Sequence, residues 1–211
     1  MFYTEDPKSD LRFGDVLNWG VLAAPYVEYN PSNTNENDFK LDINFPQFSV
    51  VLTPCCSIDN KNIVLTPLIG IFGSFYANPY FAEDLTNINR EMLAENAVSP
   101  EIWERFPSEI KEQRLAEGEQ YGLLEFFIYE NHELLPEYMV NMRDTNNFET
   151  NYYMIDFRNS YKLNSKNFKA PESILRRSKI LELTPQVRDE LRKKIANYYK
   201  RIPKEDKCYL D

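Results

Sequence analysis

Two apolar, β-branched runs stand close together in the chain, FSVVLT (48–53) and NIVLTPLIGI (62–71), and neither alternates with polar residues. Alternation would leave one face of each strand in water, so its absence predicts strands covered on both faces. The eight residues between them, PCCSIDNK, are rich in turn-forming types, and the pair is expected to form an antiparallel hairpin with a wide loop. A fold for this chain must therefore place apolar cover above and below one central hairpin.

The remaining elements suggest where that cover comes from. Leu11–Leu22 reads as an entering strand with a local turn at Gly14-Asp15, and YNPSNTNEND (29–38) reads as a polar surface loop. Between about 83 and 118 the apolar period becomes helical, through Leu85, Ile88, Met92 and Leu93, with helix starts at Ser99-Pro100-Glu101 and Ser108. Strand signals return at LLEFFIYE (123–130), EYMVNMRD (137–144) and NYYMIDFRNSYKL (151–163), the last alternating through Tyr153, Ile155 and Phe157. Thr184-Pro185 opens a terminal helix with an apolar stripe at Val187, Leu191 and Ile195, and with Asp189/Lys193 and Glu190/Lys194 as outward i, i+4 pairs. The 211 residues are expected to form a single α+β domain, 1–211. Its antiparallel part comprises 1–75 and 120–211, the latter including the C-terminal helix, and 76–119 is a helical insertion.

Charge is unevenly distributed. The chain carries a formal −9, yet residues 176–207 hold 11 basic and 5 acidic residues, a local +6, so the other 13 basic and 28 acidic residues leave −15. The total speaks against a general nucleic-acid binder, since phosphate contacts are made mainly by Lys and Arg. Three cysteines do not make a secreted disulfide framework, and adjacent Cys55 and Cys56 are poor partners for each other. With no apolar run of about 18 residues and no signal-peptide pattern, the expectation is a cytoplasmic protein with reduced thiols and no membrane contact.

Candidate chemistry falls into two groups. Cys55 or Cys56, with Ser57, Asp59 and the single histidine, His132, could form a nucleophilic or redox site if the turn holding His132 folds over the 54–60 loop. The competing reading is two small buried side chains and a surface histidine. Adjacent cysteines lack the spacing of a zinc site, and neither metal nor cofactor is expected. The second group is the basic C-terminal segment, Arg176, Arg177, Arg188, Arg192, Lys193, Lys200 and Arg201, interleaved with Tyr198 and Tyr199. It could hold phosphate or stack on bases, against the alternative of a packed amphipathic helix with a solvated basic face.

The order of motifs resembles the PemK/MazF-like toxin family: Gly14-Asp15-Val16, VVLT (50–53) and IVLTPL (63–68), then NYYMIDFRNSYKL and ILRRSKILELTPQVRDELRKKI. It is also similar to a group of uncharacterised bacterial proteins with a Cys-Asp-Ile strand end and a Tyr/Phe-Phe-x-Arg-Val/Ile helix end. Here these read Cys56-Ser57-Ile58 and Tyr198-Tyr199-Lys200-Arg201-Ile202. The resemblance implies a small antiparallel SH3-like β-barrel. In the toxins an arginine beside the second strand and a hydroxyl after the proline of the third promote RNA cleavage, and this chain instead has Pro46-Gln47-Phe48 and Pro67-Leu68-Ile69. Without a cation for the developing phosphorane charge, that activity is not expected. The leading expectation is a non-catalytic, protein-binding or regulatory component of a toxin–antitoxin or phage-defence system, with another protein as partner. The alternatives are an enzyme using Cys56, and a weak RNA binder or endoribonuclease using the basic C-terminal segment.

Overall fold

The computed structural model describes residues 1–23, 26–29, 39–42, 44–54, 57–58, 62–77, 85–90, 105–116, 125–140, 147–164 and 174–200. The two apolar runs become β4 (Phe48–Val51) and β5 (Asn62–Gly70), paired antiparallel from Phe48↔Leu68 to Val51↔Leu65. Every residue of β4 is buried, as its lack of alternation requires. On one side β4 is joined by β1 (Val16–Leu17), and β1 by β11 (Lys179–Leu181). The expected long first strand, Leu11–Leu22, is therefore reduced to two residues. Before it the chain turns at Gly14, whose φ of +86° puts it in the left-handed region. Asp15 closes that turn by accepting the Arg12 N–H at 2.6 Å.

The far edge of β5 is shared by β9 (Tyr153–Asp156) and β10 (Tyr161–Asn164). NYYMIDFRNSYKL is thus a strand interrupted at its middle. Asp156 folds the chain there by accepting from the Arg158 backbone N–H and side chain and from Asn159, and the Thr66 hydroxyl donates to the Asn159 carbonyl at 2.7 Å. β6 (Phe126–Tyr129) pairs with β9 and ends the sheet, whose order is β11-β1-β4-β5-β9-β6 with β10 added on β5. The buried Asn89 side chain occupies the Ile128 backbone, donating to its carbonyl at 2.7 Å and accepting from its N–H at 2.6 Å. A side-chain amide thus satisfies backbone groups that another strand would otherwise pair, and this blunts the sheet edge. Two hairpins stand apart, β2 (Tyr26–Tyr29) with β3 (Phe39–Asp42) and β7 (Tyr138–Val140) with β8 (Phe148–Thr150).

The sheet is antiparallel and unclosed: among the described residues β11 and β6 do not pair, so no closed barrel is found. Both ends nevertheless reach one apolar core, where Leu181 and Leu183 meet Val16, Val50, Phe127, Tyr129 and Ile155. The N-terminal segment lies between those ends. Thr4 donates to the Glu182 carbonyl, Thr184 to that of Phe2, and the Tyr3 hydroxyl to that of Glu130. Side chains of the opposite parity fill two further clusters, Phe126, Ile128 and Met154 with Phe75, Leu85 and Ile88, and Leu17 and Val51 with Leu11, Ile58 and Leu175. Burying one such large apolar side chain contributes about 1.5–3 kcal/mol.

Among the described residues helices are few and short apart from the last. They are α1 (Gly73–Ala77), a 3-10 turn (Leu85–Asn89), α2 (Ser108–Ala116), α3 (Ile174–Arg177) and α4 (Pro185–Tyr199). The helix start expected at Ser99-Pro100, Met92-Leu93 and nearly all of the Asn-rich loop lie outside the described residues. Thr184 caps α4, with its hydroxyl accepting from the Val187 N–H. Val187 and Leu191 are buried as the stripe predicts, but so is Lys194, at 2% exposure, so the outward Glu190/Lys194 pair does not exist. No helix of the described residues is long and apolar enough to cross a membrane.

Candidate anion-binding pocket

Four guanidinium groups from three places in the chain converge on one cavity of about 460 Å³. Arg12 comes from the turn before β1, Arg176 from α3, and Arg188 and Arg192 from α4, where i, i+4 spacing puts both on one face. Asp10, Leu11 and Ile58 complete the lining. Ile58 belongs to the segment that joins β4 to β5, and it is buried against Leu11 and Leu175.

A network of buried charges holds these arginines. The Lys179 ammonium, with its side chain 5% exposed, reaches Asp15 and Glu182, each at 2.8 Å. It also donates to the Lys8 and Asp10 carbonyls at 2.8 and 2.9 Å, which pins the N-terminal segment to β11. Glu182 pairs with Arg188 at 2.9 Å and Arg12 at 3.5 Å, and accepts the Lys8 backbone N–H at 2.8 Å. Nearer the solvent, Arg176 meets Asp10 at 3.1 Å and Arg192 meets Asp189 at 3.2 Å. Arg192 also lies over the Phe13 ring, 5.6 Å from its centroid.

The balance of this cluster favours an added anion. Among the described residues five cations, Arg12, Arg176, Lys179, Arg188 and Arg192, face four carboxylates, Asp10, Asp15, Glu182 and Asp189. Burial works to raise the Glu182 carboxyl, but hydrogen bonds from Lys179, Lys8 and Arg188 outweigh it and hold the group below its ordinary value. Burial pushes Asp15 up to about 6 even though Lys179 and the Arg12 N–H oppose the shift. Arg188 is 5% exposed; its Nη2 is taken by Glu182 and by the Leu183 carbonyl, while its Nε is buried with no acceptor among the described residues. A guanidinium N–H left in this way carries a desolvation cost within the protein.

The structure therefore divides the basic residues read from the sequence. Arg176, Arg188 and Arg192 come together, and Arg12 joins them from about 160 residues away. Arg177 and Lys200 are exposed elsewhere on the surface. Lys193 lines a second cavity, of about 450 Å³, with Arg90, Glu130 and Glu190. Tyr198 packs on Phe157 at 5.7 Å between ring centroids, and Tyr199 is exposed. Arg201 lies outside the described residues. Arg12, Lys179 and Glu182 carry no local sequence signal, because their roles depend on pairing between distant segments.

The thiol candidates fare differently. Cys55, Cys56 and Asp59 lie outside the described residues. Ser57 donates its backbone N–H to the Pro54 carbonyl at 2.8 Å. His132 packs edge-on against Tyr3, 5.1 Å between ring centroids, and its Nδ1 accepts the Leu134 N–H. Tyr3 belongs to a different apolar cluster from the one that contains Ile58. Among the described residues no group of three or more His, Cys, Asp or Glu side chains could hold a metal ion. No family model, curated protein or solved structure matches this chain.

Proposed function

We propose that this protein is a non-catalytic, PemK/MazF-like binding module that takes single-stranded RNA by its phosphate in the arginine pocket. The observation that carries this reading is the convergence of Arg12, Arg176, Arg188 and Arg192 on one cavity. Guanidinium groups match phosphate geometry and keep their charge at any working pH. The pocket moves the preferred partner from a protein to RNA, despite the overall charge of −9, because the cations are concentrated at one place.

The non-catalytic part rests on the positions where the toxin family resemblance puts its reactive groups. Phe48 and Leu68 are buried there and lie directly opposite each other across β4 and β5. Gln47 beside them offers an amide, bonded to Asn18, where a cation would be needed. The finer fold reading, an SH3-like barrel opened between β11 and β6, is supported by the single core that both sheet ends reach.

Fluorescence anisotropy with a labelled single-stranded RNA tests the proposal. Replacing Arg176 and Arg192 together by Ala, both partly exposed and so tolerable to the fold, is expected to weaken binding at least tenfold. The RNA should be recovered intact from both proteins. Equal affinity in the double variant, or cleavage by the parent, would refute it.

A further inference from the structure

The lining of the pocket narrows the ligand further. Arg188 exposes only 7% of its side chain, and Leu11 and Ile58, both buried, form apolar walls beside it. A phosphate within a strand carries a ribose on each side, and reaching Arg188 would press one of them against those walls. A phosphate at a strand end carries one substituent and has three unshared oxygens with which to meet several guanidinium groups at once. Charge points the same way. A phosphomonoester carries about −1.5 to −2 at neutral pH, against about −1 for an internal phosphodiester, and so gains more from a cavity lined by four arginines. A strand laid along the rest of the surface would meet the −15 carried outside residues 176–207.

Building on the RNA reading above, we infer that the pocket is a terminal-phosphate site, which selects a phosphomonoester over the internal backbone. The same chemistry is offered by a phosphorylated strand end and by a free nucleoside monophosphate.

The test uses the full chain and four probes: one short RNA sequence with 5′-phosphate, with 3′-phosphate, and with hydroxyls at both ends, and AMP as competitor. The expected result is at least tenfold tighter binding of one phosphorylated strand than of the unphosphorylated one, with the difference lost in Arg192→Ala. Displacement by AMP at concentrations near its own dissociation constant would identify the phosphate with one nucleoside as sufficient, and failure of AMP to displace would assign the site to strand ends. Equal binding of all three strands would overturn the inference while leaving the RNA reading in place. Binding of none of them would remove both. A phosphate preference that persisted in Arg192→Ala would place the selection outside this pocket and also overturn the inference.

Discussion

Lys194 is a lysine in the apolar face of α4, 2% exposed, with its ammonium buried and without a hydrogen-bond partner among the described residues. Burial pushes it down to about 7 from 10.5, opposed only by the charge of Glu125. In the unfolded chain the group keeps its proton up to pH 10.5, while the folded protein releases it above about 7. Between those values the unfolded state binds more protons, so stability rises with pH at about 1.4 kcal/mol per unit. The penalty for Lys194 is then about 4 kcal/mol at pH 7 and about 1 kcal/mol at pH 9.5. Lys194→Met, unbranched and of similar length, removes the charge and keeps most of the volume. Urea denaturation should find the variant more stable than the parent by about 4 kcal/mol at pH 7, shrinking by about 3 kcal/mol by pH 9.5. The window stops there because the buried Tyr3 and Tyr129 hydroxyls, raised by burial, begin to lower stability once the unfolded tyrosines ionise near pH 10. A difference between the two proteins that stays constant from pH 7 to 9.5, or a variant less stable at pH 7, would refute the reasoning.

Gly14→Ala forces a side chain into φ +86° and sets its Cβ 2.6 Å from Leu183 Cδ1, so a loss of about 2–4 kcal/mol is expected in thermal or urea unfolding. A loss below about 0.5 kcal/mol would mean that the turn rearranges freely. Asp15 gives the opposite pH dependence from Lys194. Its folded value of about 6 lies above the 3.8 of the free carboxyl, so its contribution is greatest below pH 4 and is lost as pH rises to 6, by about 3 kcal/mol. Subtracting the stability profile of Asp15→Asn from that of the parent between pH 4 and 6 isolates this slope, and a flat difference would contradict it.

The chain declares its local structure more openly than its charges. The β4–β5 hairpin follows from two unbroken apolar runs, the Gly14-Asp15 turn from a glycine before a short acceptor, and α4 from Thr184-Pro185. These are short-range effects, set by backbone preference and burial. NYYMIDFRNSYKL alternates like a continuous strand, yet Asp156 captures its neighbours' donors and splits it, a competition between side chain and ladder that periodicity does not resolve. Lys194 reads as half of an exposed pair because helical spacing gives no sign of which polar residue faces the core. The pocket was half visible: Arg188 and Arg192 share a helix face by spacing alone, whereas Arg12, Arg176 and the Glu182 that holds three of the cations meet only through the β1–β11 pairing.

If RNA is held by phosphate at those arginines, its affinity must depend on salt, and that dependence is the most direct measurement. Each neutralised phosphate on a single strand contributes about −0.7 to the slope of log affinity against log salt concentration. For a site that neutralises one strand phosphate, the parent should give a slope of about −0.7 from 50 to 200 mM KCl, and Arg192→Ala a slope nearer to zero. A flat slope for the parent, or the same slope in both proteins, would contradict the claim.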